Sequence, residues 1–300
     1  MRSLRILSNN MKRVLIIIAA ALLVAQSANA QLLWKITGKG IKKPSYILGT
    51  HHAVPFTYCD SIPGLMKAFE EVDFVIGEFD MVKMGEMSPA QMQNMQRMMM
   101  MPADTALTSL FSEEEKVLLD TYLKETVGVE LKMFSAMKPM TIMVTVQNKI
   151  LMDIIPDIAS MTAMDKYMQT LAVSQGKKVG GLETMDYQMN LLYGNSLEEQ
   201  ADALLEMAQS SNSKELLIEL TAAYKSQNLD ILWNVFKEQM TGYEYDALVS
   251  VRNRNWEKQI VELVPAQSSL FVVGSGHLPG EKGMITLLKQ AGYNVEPIQK

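Results

Sequence analysis

Cysteine is nearly absent from this sequence of 300 residues, which contains only Cys59. A single cysteine cannot form an internal disulfide, and it cannot supply the cysteine pairs of a structural zinc site. We therefore expect the stability of the fold to come from its hydrophobic core. Cys59 follows His52 by seven residues, so a thiolate nucleophile or a soft metal ligand is one interpretation. An unpaired, partly buried small apolar residue is the interpretation that we favour.

An excess of positive charge is also missing. The chain has 28 Lys and Arg against 33 Asp and Glu, which gives a net charge of −5. This balance argues against nucleic acid or an anionic membrane surface as a partner. No nucleotide-binding glycine loop and no Gly-x-Ser-x-Gly sequence is present either. A hydrophobic content of 48% is that of an ordinary globular chain, long enough to bury a large core.

The N-terminal residues have the pattern of a secretory signal peptide. Basic residues precede an apolar run over 14–25, and the small residues Ala28 and Ala30 then occupy the positions that a signal peptidase recognises. We predict a signal peptide over residues 1–30, cleavage before Gln31 and one domain over residues 31–300. An uncleaved transmembrane helix is the alternative, but the apolar run is short for a bilayer. The prediction is an exported, periplasmic protein, soluble and without a stable membrane anchor after cleavage.

Histidine is scarce as well, since His51, His52 and His277 are all that the chain contains. All three follow an apolar, β-prone stretch that ends at a glycine, in the sequences Gly-Thr-His-His and Gly-Ser-Gly-His. A strand that ends at glycine lets the backbone turn sharply and brings the imidazole to the carboxyl end of the strand. Ligands of α/β sheets usually bind at that edge. We therefore predict that the two stretches meet and that His52 and His277 lie close together.

Two further apolar stretches end in a glycine that precedes a glutamate. Residues 73–78 end in Gly77 and Glu78, and residues 177–183 pass through Gly181 to Glu183. The four groups occur along the chain in the order His, Glu, Glu, His, so each half contributes one of each. This similarity suggests a duplicated unit, and it predicts that Glu78 and Glu183 line the same pocket as the histidines.

Strand patterns at both ends of the chain surround a helical middle. We predict strands over 32–36, 46–48, 73–78, 177–183, 270–273 and 293–298. Helices are predicted over 62–71, 112–126, 139–155, 163–176, 197–209, 213–225, 228–239, 245–263 and 283–291, with Ser112 and Glu115 forming a capping box. The predicted fold class is α/β of mixed α+β character: a central sheet from two pseudo-repeats, flanked by helices, with a helical Met-rich middle section.

Methionine is abundant, with 25 residues, and it is concentrated over residues 81–102. Thioethers bind copper in some exported proteins, but this stretch has no His or Cys nearby. Methionine also fills irregular apolar surfaces. We predict a mobile helix or lid that covers a groove and accepts varied apolar side chains.

Several short motifs in this chain resemble the TraB/GumN family, which is related to the TIKI metalloproteases. The motifs are Leu-Trp-Lys-Ile at 33–36, Gly-Thr-His-His at 49–52, Gly-Leu-Glu-Thr at 181–184, Arg-Asn with Trp256 at 252–256, and Gly-Ser-Gly-His-Leu-Pro-Gly at 274–280. The resemblance extends from about residue 32 to residue 298 and implies a TraB/GumN-like, TIKI-like domain over 31–300. It implies an α/β fold with the site between two pseudo-repeats.

The resemblance also implies roles for particular residues. His52 and His277 match the motif histidines, Glu78 and Glu183 match the acidic positions, and Arg252 matches the arginine. The family usually has an apolar residue at the position of His51.

Two imidazoles and two carboxylates at one point suit a divalent ion such as Zn²⁺, Mn²⁺ or Co²⁺. We therefore expect His52, His277, Glu78 and Glu183 as metal ligands. The ion would lower the pKa of a bound water, and one glutamate would act as general base. Arg252 would hold a substrate carboxylate or an oxyanion. Each group taken alone can instead be structural, as a hydrogen-bonded histidine or a glutamate that caps a helix.

Two functions follow from this set of residues. The one that the resemblance favours is an exported metal-dependent hydrolase, a peptidase in the first instance, acting on a peptide or small-molecule substrate. The alternative is a non-catalytic protein that binds heme or a metal, since a relative of this fold binds heme. A purely structural role for the cluster is a third possibility.

Overall fold

The computed structural model of the chain describes residues 32–155, 157–210, 212–239 and 245–299. The predicted signal peptide and its cleavage before Gln31 lie outside the described residues. Six strands form one sheet: β1 (Leu33–Thr37), β2 (Ser45–Thr50), β3 (Phe74–Gly77), β4 (Lys178–Gly181), β5 (Ser269–Gly274) and β6 (Asn294–Pro297). The α-helices are α1 (Leu65–Glu71), α2 (Pro89–Met99), α3 (Glu113–Val127), α4 (Pro139–Ile154), α5 (Met164–Ser174), α6 (Met185–Tyr193), α7 (Leu197–Gln209), α8 (Ser213–Lys225), α9 (Leu229–Gln239), α10 (Val251–Leu263) and α11 (Met284–Gln290).

The strands are arranged in the order β4-β3-β5-β2-β1-β6. Strands β4, β3, β5 and β2 run parallel to one another, whereas β1 is antiparallel to β2 and β6. The carboxyl ends of four parallel strands therefore share one edge of the sheet. The mixed α/β class predicted from the sequence is confirmed. The duplication of two halves stays a prediction.

The two Gly-x-x-His stretches lie on neighbouring strands. In the β2–β5 ladder Gly49 is opposite Val273, and Thr50 is opposite Gly274. Nearly all residues of both strands are buried, as expected for parallel strands that are covered on both faces. A Cβ at Gly49 would lie 3.0 Å from the Cα of Ser275. Glycine at this position therefore allows the two stretches to approach each other, and their predicted meeting is confirmed.

Two hydrophobic clusters stabilise the chain. The larger surrounds the sheet and includes Trp256, Phe271 and Cys59, of which Cys59 is 1% exposed. Burial raises the pKa of the Cys59 thiol to about 12, so this thiol is not activated, in agreement with the favoured sequence interpretation. The second cluster lies in the helical middle of the chain, where side chains of α3, α4 and α7 pack together. The helical middle thus has a core of its own.

Most predicted helices are present, with shifted ends. The first begins at Leu65 rather than Ile62, because Phe56–Ser61 forms a 3₁₀ turn and Gly64 has a left-handed backbone. Ser112 and Glu115 form the predicted capping box at the start of α3. Helix α6 was not predicted, and a π-helical turn at Asp246–Ser250 precedes α10. Among the described residues, no helix combines the length and the apolarity needed to cross a bilayer.

The Met-rich segment is helical over α2, as predicted, and a 3₁₀ turn precedes it at Val82–Glu86. Helix α2 begins with a capping box in which Ser88 and Gln91 exchange hydrogen bonds. None of the residues of α2 is buried, and α2 packs against α6. The segment is therefore placed beside the carboxyl end of β4, since α6 follows that strand.

Candidate active site

Three of the predicted site residues come together where the parallel strands end. Glu78 directly follows β3, Glu183 follows β4 by two residues, and His277 follows β5 by three. The backbone N–H of Glu183 donates to the carbonyl of Glu78 at 2.8 Å, so the β3–β4 pairing continues past the strands. This pairing holds both glutamates at the same edge.

Arg252, from the first turn of α10, lies at the centre of this cluster. Its Nη2 donates to Glu78 Oε2 at 2.6 Å and also to Glu183 Oε1, while its Nε lies 3.1 and 3.2 Å from the two oxygens of Glu183. Its Nη1 donates to the carbonyl of Leu248 at 3.1 Å. Burial opposes the charge of the guanidinium, but the hydrogen bonds to Glu183 and the charge of Glu78 raise the pKa of Arg252. A cation fixed between two carboxylates is the main electrostatic feature of the site.

His277 is held in one tautomer. Arginine can only donate hydrogen bonds, so the contact of 3.1 Å between Arg252 Nη1 and His277 Nε2 makes that ring nitrogen an acceptor. The ring proton is then on Nδ1 and is donated to Asn253 Oδ1 at 2.7 Å. Burial lowers the pKa of His277 to about 4, and the charge of Arg252 acts in the same direction. His277 is therefore neutral at physiological pH.

Glu78 is ionised in this environment. Burial alone would raise the pKa of Glu78, but a protonated His277, the charge of Arg252 and the N–H of Gly274 outweigh it and hold the pKa at about 2. Because His277 is neutral near pH 7, Arg252 and the N–H of Gly274 are the causes that persist there. That N–H donates to Glu78 Oε1 at 2.8 Å. Such a carboxylate is a weak base.

Glu183 is equally enclosed. Trp256 Nε1 donates to Glu183 Oε2 at 3.1 Å, and the Trp256 ring lies 4.7 Å from the guanidinium of Arg252 and 4.4 Å from the imidazole of His277. Gln188 Nε2 donates to both glutamates, at 3.0 Å to Glu78 and at 2.7 Å to Glu183. The indole and the amide thus fix the carboxylates that also bind Arg252.

His52 lies outside this hydrogen-bonded cluster and has a different partner. Its Nδ1 is 3.6 Å from Oδ2 of Asp165, a residue of α5. The other oxygen of Asp165 accepts a hydrogen bond of 2.5 Å from Thr50, whereas Oδ2 is buried without a hydrogen-bond partner in the described part of the chain. The carboxylate of Asp165 raises the pKa of His52. The side chain of His52 is 74% exposed, so solvent screening limits that effect.

His51 faces away from the site. Its Nε2 lies 3.2 Å from Thr221 Oγ1, and its ring is 5.3 Å from that of Tyr224, both on α8. Thr221 donates its own proton to the carbonyl of Leu217, so His51 donates to the Thr221 oxygen. Burial lowers the pKa of His51 to about 4. These contacts give His51 a role in packing.

Two cavities open at the same edge of the sheet. One, of about 60 Å³, is lined by His52, Glu78, Asp165 and Gln188, among others. The other, of about 400 Å³, lies beside Glu183, and its wall includes the methionines Met84, Met87 and Met185. The Met-rich segment therefore borders a groove next to a site residue. Its predicted mobility stays a prediction.

The donor groups in this arrangement do not fit the divalent ion that was expected from two imidazoles and two carboxylates. In the described ranges, no three His, Cys, Asp or Glu side chains are placed so that they could hold a metal ion. Glu78, Glu183 and Nε2 of His277 all accept hydrogen bonds from Arg252. Axial ligation of heme by His277 would likewise require this ring nitrogen to leave Arg252. The four-ligand metal site stays a prediction that needs a rearranged Arg252.

The groups that hold the predicted residues in place were not predicted from the sequence. Asp165 resembles any acidic residue in the first turn of a helix, and Gln188 lies on the helix that was not predicted. Thr184, which caps that helix through the N–H of Tyr187, was the available signal for its start. Nothing local in the sequence pointed to Asp165.

Fold and site together define an α/β protein with a buried arginine–glutamate cluster at the carboxyl edge of its parallel strands. The chain belongs to the TraB/PrgY/gumN family, whose model matches residues 32–297. This match covers most of the chain and confirms the family predicted from the motifs. Comparison with curated proteins and with solved structures found no match.

Proposed function

We propose that this chain is a hydrolase that cleaves peptide bonds, with His52 as the general base and Asp165 as its positioning residue. The observation that carries the proposal is the shared cavity of about 60 Å³ in which His52 and Asp165 face Glu78. That volume has room for a water molecule, which needs about 10–15 Å³ of such space. We propose peptides as the substrates because the chain resembles the family related to the TIKI metalloproteases.

His52 suits the task better than either glutamate. A general base works best when its pKa is near the working pH. Glu78 has a pKa of about 2, and Glu183 is bound to Arg252 and Trp256. Asp165 raises the pKa of His52 to about 9, and solvent around the exposed side chain screens this effect, so the neutral base is the main form at mildly alkaline pH. Nδ1 of His52 faces Asp165, which leaves Nε2 to accept a proton.

The reaction then proceeds as two proton transfers. Nε2 of His52 removes a proton from water while the water oxygen bonds to the carbonyl carbon of the substrate, and Asp165 stabilises the imidazolium. The imidazolium returns the proton to the leaving amine as the C–N bond breaks. The Met-lined cavity of about 400 Å³ beside Glu183 has room for an apolar side chain of the substrate.

The test compares the parent chain with His52→Gln and His51→Gln on a set of fluorogenic peptides. We expect His52→Gln to lose about 10²–10⁴-fold in rate, the range typical of a general base. His51→Gln is the matched control, since its side chain contacts Thr221 and Tyr224, and it should keep the parent rate. A folded His52→Gln variant with the parent rate would overturn the proposal. Activity that disappears with a chelator and returns with one ion would favour the metal-dependent form, and a Soret band without hydrolysis would favour heme binding.

A further inference from the structure

We propose that Arg252 is the resident cation of the Glu78–Glu183–His277 cluster and stands in the place that a divalent ion would occupy. The proposal concerns which cation the site holds, and it does not depend on whether the chain hydrolyses peptides. The guanidinium of Arg252 contacts both carboxylates and the imidazole.

Each of the four carboxylate oxygens that would bind a metal already accepts at least one hydrogen bond. Glu78 Oε1 accepts from the N–H of Gly274, and Glu78 Oε2 accepts from Arg252 and Gln188. Glu183 Oε1 accepts from Arg252 and Gln188, and Glu183 Oε2 accepts from Arg252 and Trp256. A metal ligand must direct its lone pair at the ion, at about 2.0–2.2 Å. All four carboxylate oxygens are instead directed at N–H groups.

Further contacts hold the side chain of Arg252 in this position. Its side chain is 9% exposed, its Nη1 is bound to the carbonyl of Leu248 in the preceding π-helical turn, and its guanidinium lies over the Trp256 ring. An ion entering between the glutamates would meet a like charge that cannot easily move away. An ion therefore cannot bind at this place while Arg252 keeps its observed position.

The two neighbouring carboxylates favour a cation between them. Glu78 and Glu183 contribute two negative charges, Arg252 contributes one positive charge, and His277 is neutral. Three neutral donors, from Gly274, Gln188 and Trp256, stabilise the remaining negative charge. If Arg252 is removed, two buried carboxylates and the Nε2 of His277 become available together. Such a set of oxygen and imidazole donors suits Zn²⁺, Mn²⁺ or Co²⁺.

The experiment counts bound metal in the full chain, produced without a histidine tag and treated with a chelator. The parent, Arg252→Ala and Arg254→Ala are each equilibrated with Zn²⁺, Mn²⁺ or Co²⁺, freed of unbound ion and analysed by mass spectrometry. We expect substoichiometric metal in the parent and in Arg254→Ala, the matched control on the exposed side of α10. Arg252→Ala should gain one ion per chain and lose it again when Glu183→Gln is added.

Thermal unfolding keeps the test decisive if Arg252→Ala folds poorly, because an ion that binds only the folded state stabilises it. The ion should raise the unfolding midpoint of Arg252→Ala at a concentration that leaves the parent unchanged. A parent that holds one ion per chain, and loses it on Glu183→Gln, would overturn the proposal. A folded Arg252→Ala variant that binds no ion would overturn it as well. If no folded Arg252→Ala can be obtained, the metal content of the parent decides alone.

Discussion

The imidazole of His52 faces the carboxylate of Asp165, with Nδ1 of the histidine 3.6 Å from Oδ2 of the aspartate. The two residues come from different parts of the chain, His52 from the end of β2 and Asp165 from the start of α5. Thr50, also at the end of β2, fixes the aspartate through a hydrogen bond of 2.5 Å. The same strand therefore places both the histidine and the hydroxyl that orients its partner.

The first prediction concerns Asp165→Asn. The amide keeps the shape of the carboxylate but removes the charge that stabilises a protonated His52. We expect kcat on the best peptide substrate to fall by about 10²-fold or more, with a smaller change in KM. The pKa of His52, followed by NMR, should also fall toward its ordinary value, and this readout does not require activity. An unchanged His52 pKa in the folded variant would contradict the assigned pairing.

The second prediction concerns Gly49→Ala. The added Cβ would lie 3.0 Å from the Cα of Ser275 and 2.8 Å from a methyl carbon of Leu278. We expect a loss of about 1–3 kcal/mol in the free energy of unfolding, because buried backbone cannot yield as a flexible side chain does. Urea denaturation measures this loss. Gly85→Ala, where nothing lies within 4 Å of the new carbon, is the control and should stay within about 0.5 kcal/mol of the parent.

The third prediction is a loss of stability on mild acidification. His51 and His277 each have a pKa of about 4 in the folded chain, below the ordinary value of 6.5. Between those two values the unfolded chain binds more protons than the folded one. The free energy of unfolding therefore rises with pH across this window and falls as the pH drops from 6.5 to 4. The slope is up to about 1.4 kcal/mol per pH unit for each histidine.

Urea titrations near pH 5 and near pH 6 measure this slope. His51→Gln removes one of the two histidines while leaving the cluster around Arg252 intact, so its slope should be shallower by about one proton. His52 has a raised pKa and is protonated in both states below 6.5, so it adds nothing in this window. A slope identical in the parent and in His51→Gln would show that His51 is protonated in the folded chain. Below about pH 4.5, protonation of Glu78 adds a further loss, because its folded pKa of about 2 lies below its unfolded value.

The fourth prediction concerns export. The basic residues, the apolar run over 14–25 and the small residues Ala28 and Ala30 predict cleavage before Gln31. Protein isolated from the native cell envelope should begin at Gln31 and should be released with the periplasmic fraction. N-terminal sequencing checks the first point, and fractionation checks the second. Membrane-bound material that retains the apolar run would contradict this prediction.

Local patterns were enough to predict the class of the fold and the residues that follow the ends of its parallel strands. A strand that ends in glycine is visible in the sequence, because apolar periodicity and glycine act over a few neighbouring residues. The scarcity of histidine then marked His52 and His277, and the Gly-then-Glu pattern marked Glu78 and Glu183. The helix ends were less well predicted, since the turn at Phe56–Ser61 and the left-handed Gly64 shift the start of α1.

The sequence by itself determined which residue types stand at the ends of the parallel strands. Only the tertiary structure decided how those residues pair. Arg252 lies between both glutamates because α10 packs over the carboxyl edge, and Asp165 reaches His52 because α5 packs against β3 and β5. No local pattern encodes such contacts, because they join segments that are distant in sequence. The physical reason is that a buried charge needs a partner of opposite charge. The packing of the whole chain decides which helix or strand supplies that partner.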